Sequence, residues 1–105
     1  MPTYERRPRF DRDYDRLTAA EKTAFKRAVR QFIADLRGGS GRFHPSLRVH
    51  RIDSRRGVWS ISSGGDLRAT FSYGSQREGA AHIIWRRIGR HSIHREPSGP
   101  FHPAQ

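Results

Sequence analysis

The sequence contains no cysteine and no long apolar segment. Without cysteine, the 105-residue chain can form neither a disulfide nor a thiolate metal site, which fits a reducing compartment. No stretch approaches the roughly 20 consecutive apolar residues that a membrane span needs, and the N-terminal MPTYERRPRF lacks the apolar segment of an export signal. We therefore expect a cytoplasmic protein that is neither exported nor inserted in a membrane.

Acidic residues are scarce relative to basic ones. The chain has 21 Lys and Arg against 10 Asp and Glu, a formal net charge of +11, and most of the cations are arginine. The planar guanidinium suits bidentate phosphate contacts, and neutralising phosphates releases counterions, so nucleic acid is the leading partner class. The same charge would attract an acidic protein, and an arginine-rich surface that serves only solubility is the alternative interpretation.

Length and composition predict one modest core. Hydrophobic residues make up 33% of the chain, enough for one domain and too few for two. We place this domain at residues 1–97. Residues 98–105 lack periodicity and are expected to form a disordered tail.

The first third of the chain predicts two helices. Asp11 is a candidate cap for a short first helix, and Thr18 with Glu21 forms a capping box at the start of a second. The second helix should end at Gly38 and Gly39. Its apolar residues recur with helical spacing on one face: Phe25, Ala28, Val29, Phe32, Ile33 and Leu36.

The second half has the short alternating runs of a sheet. We predict strands near residues 47–52, 58–62, 67–73 and 82–88, with a further strand at 4–7. Connections this short imply antiparallel pairing, and apolar residues on both faces of 82–88 indicate a central strand. The predicted fold class is α+β, an N-terminal helical hairpin packed on a four- to five-stranded, mainly antiparallel sheet.

Alternation also predicts where polar side chains point. Leu47 and Val49 should face the core, which leaves Arg48 and His50 on the other face, and Arg68 likewise lies opposite its apolar neighbours. The last strand then delivers cations and an imidazole at its end, namely Arg86, Arg87, Arg90 and His91. If these faces coincide, they form one basic groove.

Four runs in the second half resemble the RelE/ParE toxin superfamily. They are LRVHRI (47–52), VWSI (58–61), DLRATF (66–71) and IWRRIGRH (84–91). The resemblance covers roughly residues 4 to 96 and includes the order of strand, helical hairpin and antiparallel sheet. The final run, an apolar strand followed by Arg-x-Gly-x-His, resembles the YafQ-like branch of mRNA interferases.

The resemblance implies a type II toxin that a cognate antitoxin neutralises. Members of the superfamily with ribonuclease activity cleave mRNA in the ribosomal A site, without a metal or another cofactor, through attack of the 2′-hydroxyl on the adjacent phosphate. By matched position His50 is the candidate base and His91 the candidate acid, with the reverse assignment open. Arg68 matches the arginine that contacts the scissile phosphate. Further candidate phosphate contacts are Arg48, Arg86, Arg87 and Arg90.

Two other functions stay open on the sequence alone. One is a ParE-like inhibitor of DNA gyrase, which shares the fold without nuclease activity; the other is a non-catalytic nucleic-acid-binding domain. The chain also departs from relatives that stack an aromatic residue on a base, because it has His94 and Arg95 in that region. Trp59 and Trp85 are expected in the core rather than as stacking platforms. Histidines without a supporting context are expected to be structural or exposed: His44, His82 and His102.

Overall fold

The chain forms two helices and five strands. The computed structural model describes residues 2–39, 41–52, 57–76, 79–90 and 93. In chain order the elements are β1 (Thr3–Arg6), α1 (Pro8–Asp15), α2 (Ala19–Gly38), β2 (His50–Arg51), β3 (Trp59–Ser62), β4 (Leu67–Tyr73) and β5 (His82–Arg90).

The five strands make one mixed sheet in the order β1-β5-β4-β3-β2. The pairs β2–β3, β3–β4 and β4–β5 are antiparallel, whereas β1 pairs parallel with β5. The α+β prediction is confirmed, and β5 is an interior strand as its apolar faces indicated. Parallel pairing of β1 follows from α1 and α2, which carry the chain away from the sheet before β2 begins.

Helix α2 has the limits that its sequence predicts. Oγ1 of Thr18 accepts from the backbone N of Glu21 at 3.1 Å, and Oε1 of Glu21 accepts from the backbone N of Thr18 at 2.9 Å. At the other end Gly39 adopts the left-handed conformation (φ 70°) and its N–H bonds to the carbonyl of Leu36. None of the described helices is long and apolar enough to cross a membrane.

Helix α1 begins earlier than predicted. Arg7 is its N-cap residue and Pro8 occupies the first helical position, where a missing N–H costs nothing. The prediction that Asp11 caps this helix is therefore wrong. Asp11 lies inside the first turn instead and pairs with Arg6 at 3.2 Å.

The first predicted strand of the second half is also corrected. Residues Pro45–Leu47 form a 3-10 helix, and Arg48 takes a left-handed conformation with φ 46°. Proline lacks an N–H and starts this turn, which His44 caps through its side chain. Strand β2 is therefore only His50–Arg51, and strict alternation does not extend back to Leu47.

The core lies between the helices and one face of the sheet. Phe32 of α2 sits at its centre, with ring centroids 4.9 Å from Phe71 and 5.8 Å from Trp85. Phe10 of α1 packs 6.0 Å from the same tryptophan. Trp85 is buried and Trp59 partly buried against this cluster, so both belong to the core side as expected.

A β-bulge in β5 changes which side chains reach the core. In the register of the two strands Phe71 pairs with Trp85 and Thr70 pairs with Arg87. Arg86 is the extra residue of β5, which lies opposite no residue of β4. The extra residue shifts the alternation by one position. As a result Ile88 reaches the core although it lies three residues after Trp85.

Candidate active site

The imidazole of His50 is held at the start of β2 by the backbone. Its Nδ1 lies 2.7 Å from the carbonyl oxygen of Arg48. Because a carbonyl oxygen only accepts, Nδ1 carries the proton in this hydrogen bond. In the neutral ring Nε2 then holds the lone pair, which is the state that a general base requires. The left-handed turn at Arg48 places its carbonyl for this contact.

His50 and Arg68 lie on the same face of the sheet. His50 pairs with Ser60 of β3, and Ser60 pairs with Thr70 of β4, so these side chains form one row. Arg68 pairs with Ser62, two residues along each strand and therefore on the same face. Strand spacing puts the backbones of β2 and β4 about 10 Å apart. We call this side of the sheet, opposite the helices, the polar face. His50 is exposed at its edge, whereas Ser60 and Thr70 in the same row are fully buried.

The guanidinium group of Arg68 is anchored through one nitrogen. Nη1 donates to Oγ of Ser62 at 3.2 Å and to the carbonyls of Gly65 and Leu67 at 2.8 and 3.0 Å. Among the described residues, Nε and Nη2 make no hydrogen bond. A fixed guanidinium with three remaining N–H donors is suited to an oxyanion.

Arg86 occupies the bulge and turns to the polar face as well. Its Nη1 lies 3.3 Å from Oγ of Ser72, and its buried Nε has no hydrogen-bond partner in the described part of the chain. Burial lowers the pKa of Arg86, and the positive charge of Arg7 lowers it further. Within the described ranges, the guanidinium groups of Arg68 and Arg86 form no ion pair with a carboxylate.

The sequence suggested that Arg87 contacts an RNA phosphate, and in the structure its guanidinium group binds a carboxylate of the protein. Its Nε and Nη2 donate to the two carboxylate oxygens of Asp13 at 3.0 and 3.2 Å, and both side chains are about nine-tenths buried. The same carboxylate accepts from the backbone N of Ile88 at 3.2 Å. The pair therefore attaches α1 to β5 beyond the end of β1. This structural role leads us to leave Arg87 out of the proposed RNA contacts.

Two further predicted residues, Arg48 and Arg90, lie before β2 and at the end of β5. Arg48 is exposed beside His50. Arg90 is exposed at the end of β5, with Nη2 3.6 Å from Oε2 of Glu21, a surface pair of little energetic weight. His91 lies outside the described residues, as does the predicted tail. The roles assigned to these side chains stay predictions.

The buried His82 belongs to a structural cluster. Its Nε2 lies 2.9 Å from a carboxylate oxygen of Glu5, and its Nδ1 lies 2.7 Å from Oγ1 of Thr3. Gly74 packs so closely on the ring that a Cβ added there would be 2.7 Å from Cδ2. His82 thus connects β1 to β5.

A separate apolar groove opens between α2 and the edge strand β1. Its volume is about 500 Å³, and the exposed ring of Tyr4 forms part of one wall. Basic residues rim the groove: Arg6, Lys26 and Arg30. An amphipathic segment with acidic flanks would match this surface in shape and charge.

The sequence pattern indicates only part of the polar face. Alternation placed Arg68 on it correctly. No local pattern indicates Arg7 or Ser72, because the contact of Arg7 depends on parallel pairing with β5 and that of Ser72 on the bulge. Neither feature has a local sequence signal.

Two helices on one face of a mixed five-stranded sheet, with a polar opposite face, give this chain a RelE-like α+β fold. Comparison with solved structures finds the fold in the E. coli DinJ-YafQ complex, with a TM-score of 0.56 at 13% identity over 89% of this chain and 97% of that chain. A second structure, of the E. coli DinJ-YafQ toxin-antitoxin complex, gives 0.56 at 12% identity over 88% and 94%.

A copper-bound mutant toxin from Helicobacter pylori has the same architecture, with a TM-score of 0.58 at 16% identity over 88% of this chain and 97% of that chain. No family model matches the sequence, and no curated protein matches it. At these identities the likeness establishes the fold, so the function has to be argued from the polar face.

Proposed function

We propose that the chain is the toxin of a type II toxin-antitoxin pair and a metal-independent, ribosome-associated endoribonuclease acting on mRNA. The observation that carries this proposal is the imidazole of His50, whose proton is fixed on Nδ1 and which shares a sheet face with the anchored guanidinium of Arg68. The net charge of +11 and the fold shared with YafQ complexes support it.

The proposed reaction is an internal transesterification. Nε2 of His50 takes the proton of the 2′-hydroxyl, and the 2′-oxygen forms a bond to the adjacent phosphorus. Arg68 stabilises the negative charge that develops on the phosphorane through its Nε and Nη2 donors. The bond to the 5′-oxygen breaks, and that oxygen takes a proton from His91. The products are a 2′,3′-cyclic phosphate and a 5′-hydroxyl.

Other arginines hold the strand rather than react. We propose that Arg48, Arg86 and Arg90 contact phosphates on either side of the scissile bond. Arg48 and Arg90 are exposed, and the surface pair of Arg90 with Glu21 can exchange for a phosphate at little cost. These contacts supply affinity and register without selecting sequence.

We propose a cognate antitoxin as the protein partner. Its acidic residues would cover the polar face, and an apolar segment would enter the groove beside Tyr4. The basic rim supports this assignment, since Arg6, Lys26 and Arg30 flank the apolar walls.

The main alternative is a ParE-like inhibitor of DNA gyrase. It requires no base and no oxyanion contact, so the fixed tautomer of His50 favours the nuclease. The third hypothesis is a non-catalytic nucleic-acid-binding domain. In that case removal of the His50 or His91 imidazole would leave the effect of the chain on cells unchanged.

Induction in cells without a partner separates these functions. The parent chain, His50→Ala, His91→Ala and the control His102→Ala are expressed in parallel. We expect growth arrest with messages cut inside translated frames for the parent and the control, and intact messages for the other two. Growth arrest with intact messages and cleaved gyrase-DNA complexes would replace the nuclease by the gyrase inhibitor. Arrest by all four chains alike, with intact messages and no cleaved gyrase-DNA complexes, would favour non-catalytic binding.

A further inference from the structure

A second group of donors lies on the polar face, away from Arg68. Arg6 pairs with Trp85 in the parallel ladder, and the backbone N of Arg7 donates to the carbonyl of Trp85 at 2.9 Å. Arg7 is therefore next to Arg86. Arg7 follows β1 with an extended backbone (φ −75°, ψ 153°), which puts its side chain on the face of Glu5. The side chain of Glu5 reaches across to β5 from the polar side.

The guanidinium group of Arg86 lies in an unfavourable environment beside that of Arg7. Each carries a positive charge, and no carboxylate in the described part of the chain offsets either one. The repulsion from Arg7 acts on Arg86 where burial already disfavours its charge. The buried Nε of Arg86 also lacks an acceptor among those residues. An anion bound between them would relieve the repulsion and supply acceptors.

This donor group is distinct from the oxyanion contact of Arg68. The guanidinium of Arg68 is anchored at the turn before β4 by Gly65 and Leu67. That of Arg86 is anchored in the opposite direction, at Ser72. Arg68 and Ser72 are four residues apart on β4, about 13 Å in a strand. One phosphate group cannot reach both positions.

We propose that Arg7, Arg86 and Ser72 form a second phosphate-binding subsite, which holds a phosphodiester of the RNA strand at a distance from the scissile bond. The inference rests on the proposed function for its ligand class. Two guanidinium forks and a hydroxyl match the non-bridging oxygens of a phosphodiester. The common face with His50 and Arg68 favours the strand that is cut over an acidic protein.

Binding can be measured without cleavage. The full chain is titrated into a short fluorescent RNA that carries 2′-O-methyl groups, which block attack by the 2′-oxygen, at a series of salt concentrations. The variants are Arg7→Gln, Arg86→Gln and Arg86→Lys, with Arg27→Gln as the control. Arg27 is exposed on α2, so its substitution removes the same charge from another surface. An oligoglutamate peptide serves as a second probe.

We expect the two Gln variants of the subsite to raise Kd for the RNA about tenfold. Each should reduce the slope of log K against log salt by about 0.7, the value of one single-strand phosphate contact. Arg86→Lys should recover part of the affinity, and Arg27→Gln should keep the parent slope. If Arg86→Gln fails to fold in a thermal melt, the exposed Arg7→Gln still decides the question.

Parent-like Kd and slope in Arg7→Gln and Arg86→Gln would overturn the subsite. It would also be overturned if oligoglutamate binding, but not RNA binding, depended on these arginines, since the site would then belong to a protein partner. A parent chain that binds the modified RNA through this subsite yet leaves mRNA uncut on translating ribosomes would contradict the nuclease alone.

Discussion

Removing the carboxylate of Asp13 should destabilise the domain strongly. Asp13→Ala leaves the buried guanidinium of Arg87 without its partner and the N–H of Ile88 without its acceptor. Breaking a buried ion pair costs about 3–5 kcal/mol. A domain of this size has about 5–15 kcal/mol of stability in total. A loss of about 4 kcal/mol corresponds to a decrease in Tm of about 15–25 °C.

Thermal unfolding followed by circular dichroism measures this loss. Asp11→Ala is the matched control, since its pair with Arg6 is half exposed and should contribute less than about 1 kcal/mol. The double variant Asp13→Ala with Arg87→Met should recover much of the stability, because no buried charge remains. Equal melting of the Asp13→Ala and Asp11→Ala chains would refute the reasoning. A stable Arg87→Met chain with weakened RNA binding would return Arg87 to the RNA contacts.

Two smaller predictions concern the helix cap and a close contact. The hydrogen bond from the backbone of Thr18 lowers the pKa of Glu21, so its stabilisation is present above the unfolded-state pKa and is lost as pH falls through the folded-state pKa. Urea midpoints of Glu21→Gln should therefore fall less on acidification than those of the parent. Gly74→Ala should cost about 1–3 kcal/mol in a melt by displacing His82, whereas Gly38→Ala, with open space around it, should cost nothing. A Glu21→Gln chain whose urea midpoints fall with pH as steeply as those of the parent would contradict the first prediction. A Gly74→Ala chain that melts like the parent would contradict the second.

The sequence predicted the helix ends and strand limits that depend on residues close together in the chain. The capping box of Thr18 and Glu21 and the glycine after α2 fixed both ends of that helix from the sequence. Alternation in residues 67–73 gave the limits of β4 and the direction of Arg68. These signals depend on side chains a few residues apart, which the sequence displays directly.

Features that depend on distant residues could not be predicted. Asp13 and Arg87 are 74 positions apart, and neither residue type indicates the other. The bulge at Arg86 arises from how β5 meets β4, and the alternation of residues within β5 gives no sign of it. At Arg48 the alternating pattern of 47–52 predicted a strand, whereas the preceding turn imposes a left-handed residue.

The chemical form of the RNA ends tests the proposed reaction most directly. Purified chain is incubated with ribosomes translating a defined mRNA, and the fragments are analysed at both ends for the parent, His50→Ala and Arg68→Ala. We predict 5′-hydroxyl and 2′,3′-cyclic phosphate ends from the parent, with cleavage reduced at least about a hundredfold in both variants. Fragments with 5′-phosphate ends, or equal cleavage by the His50→Ala chain, would contradict attack by the 2′-hydroxyl with His50 as base.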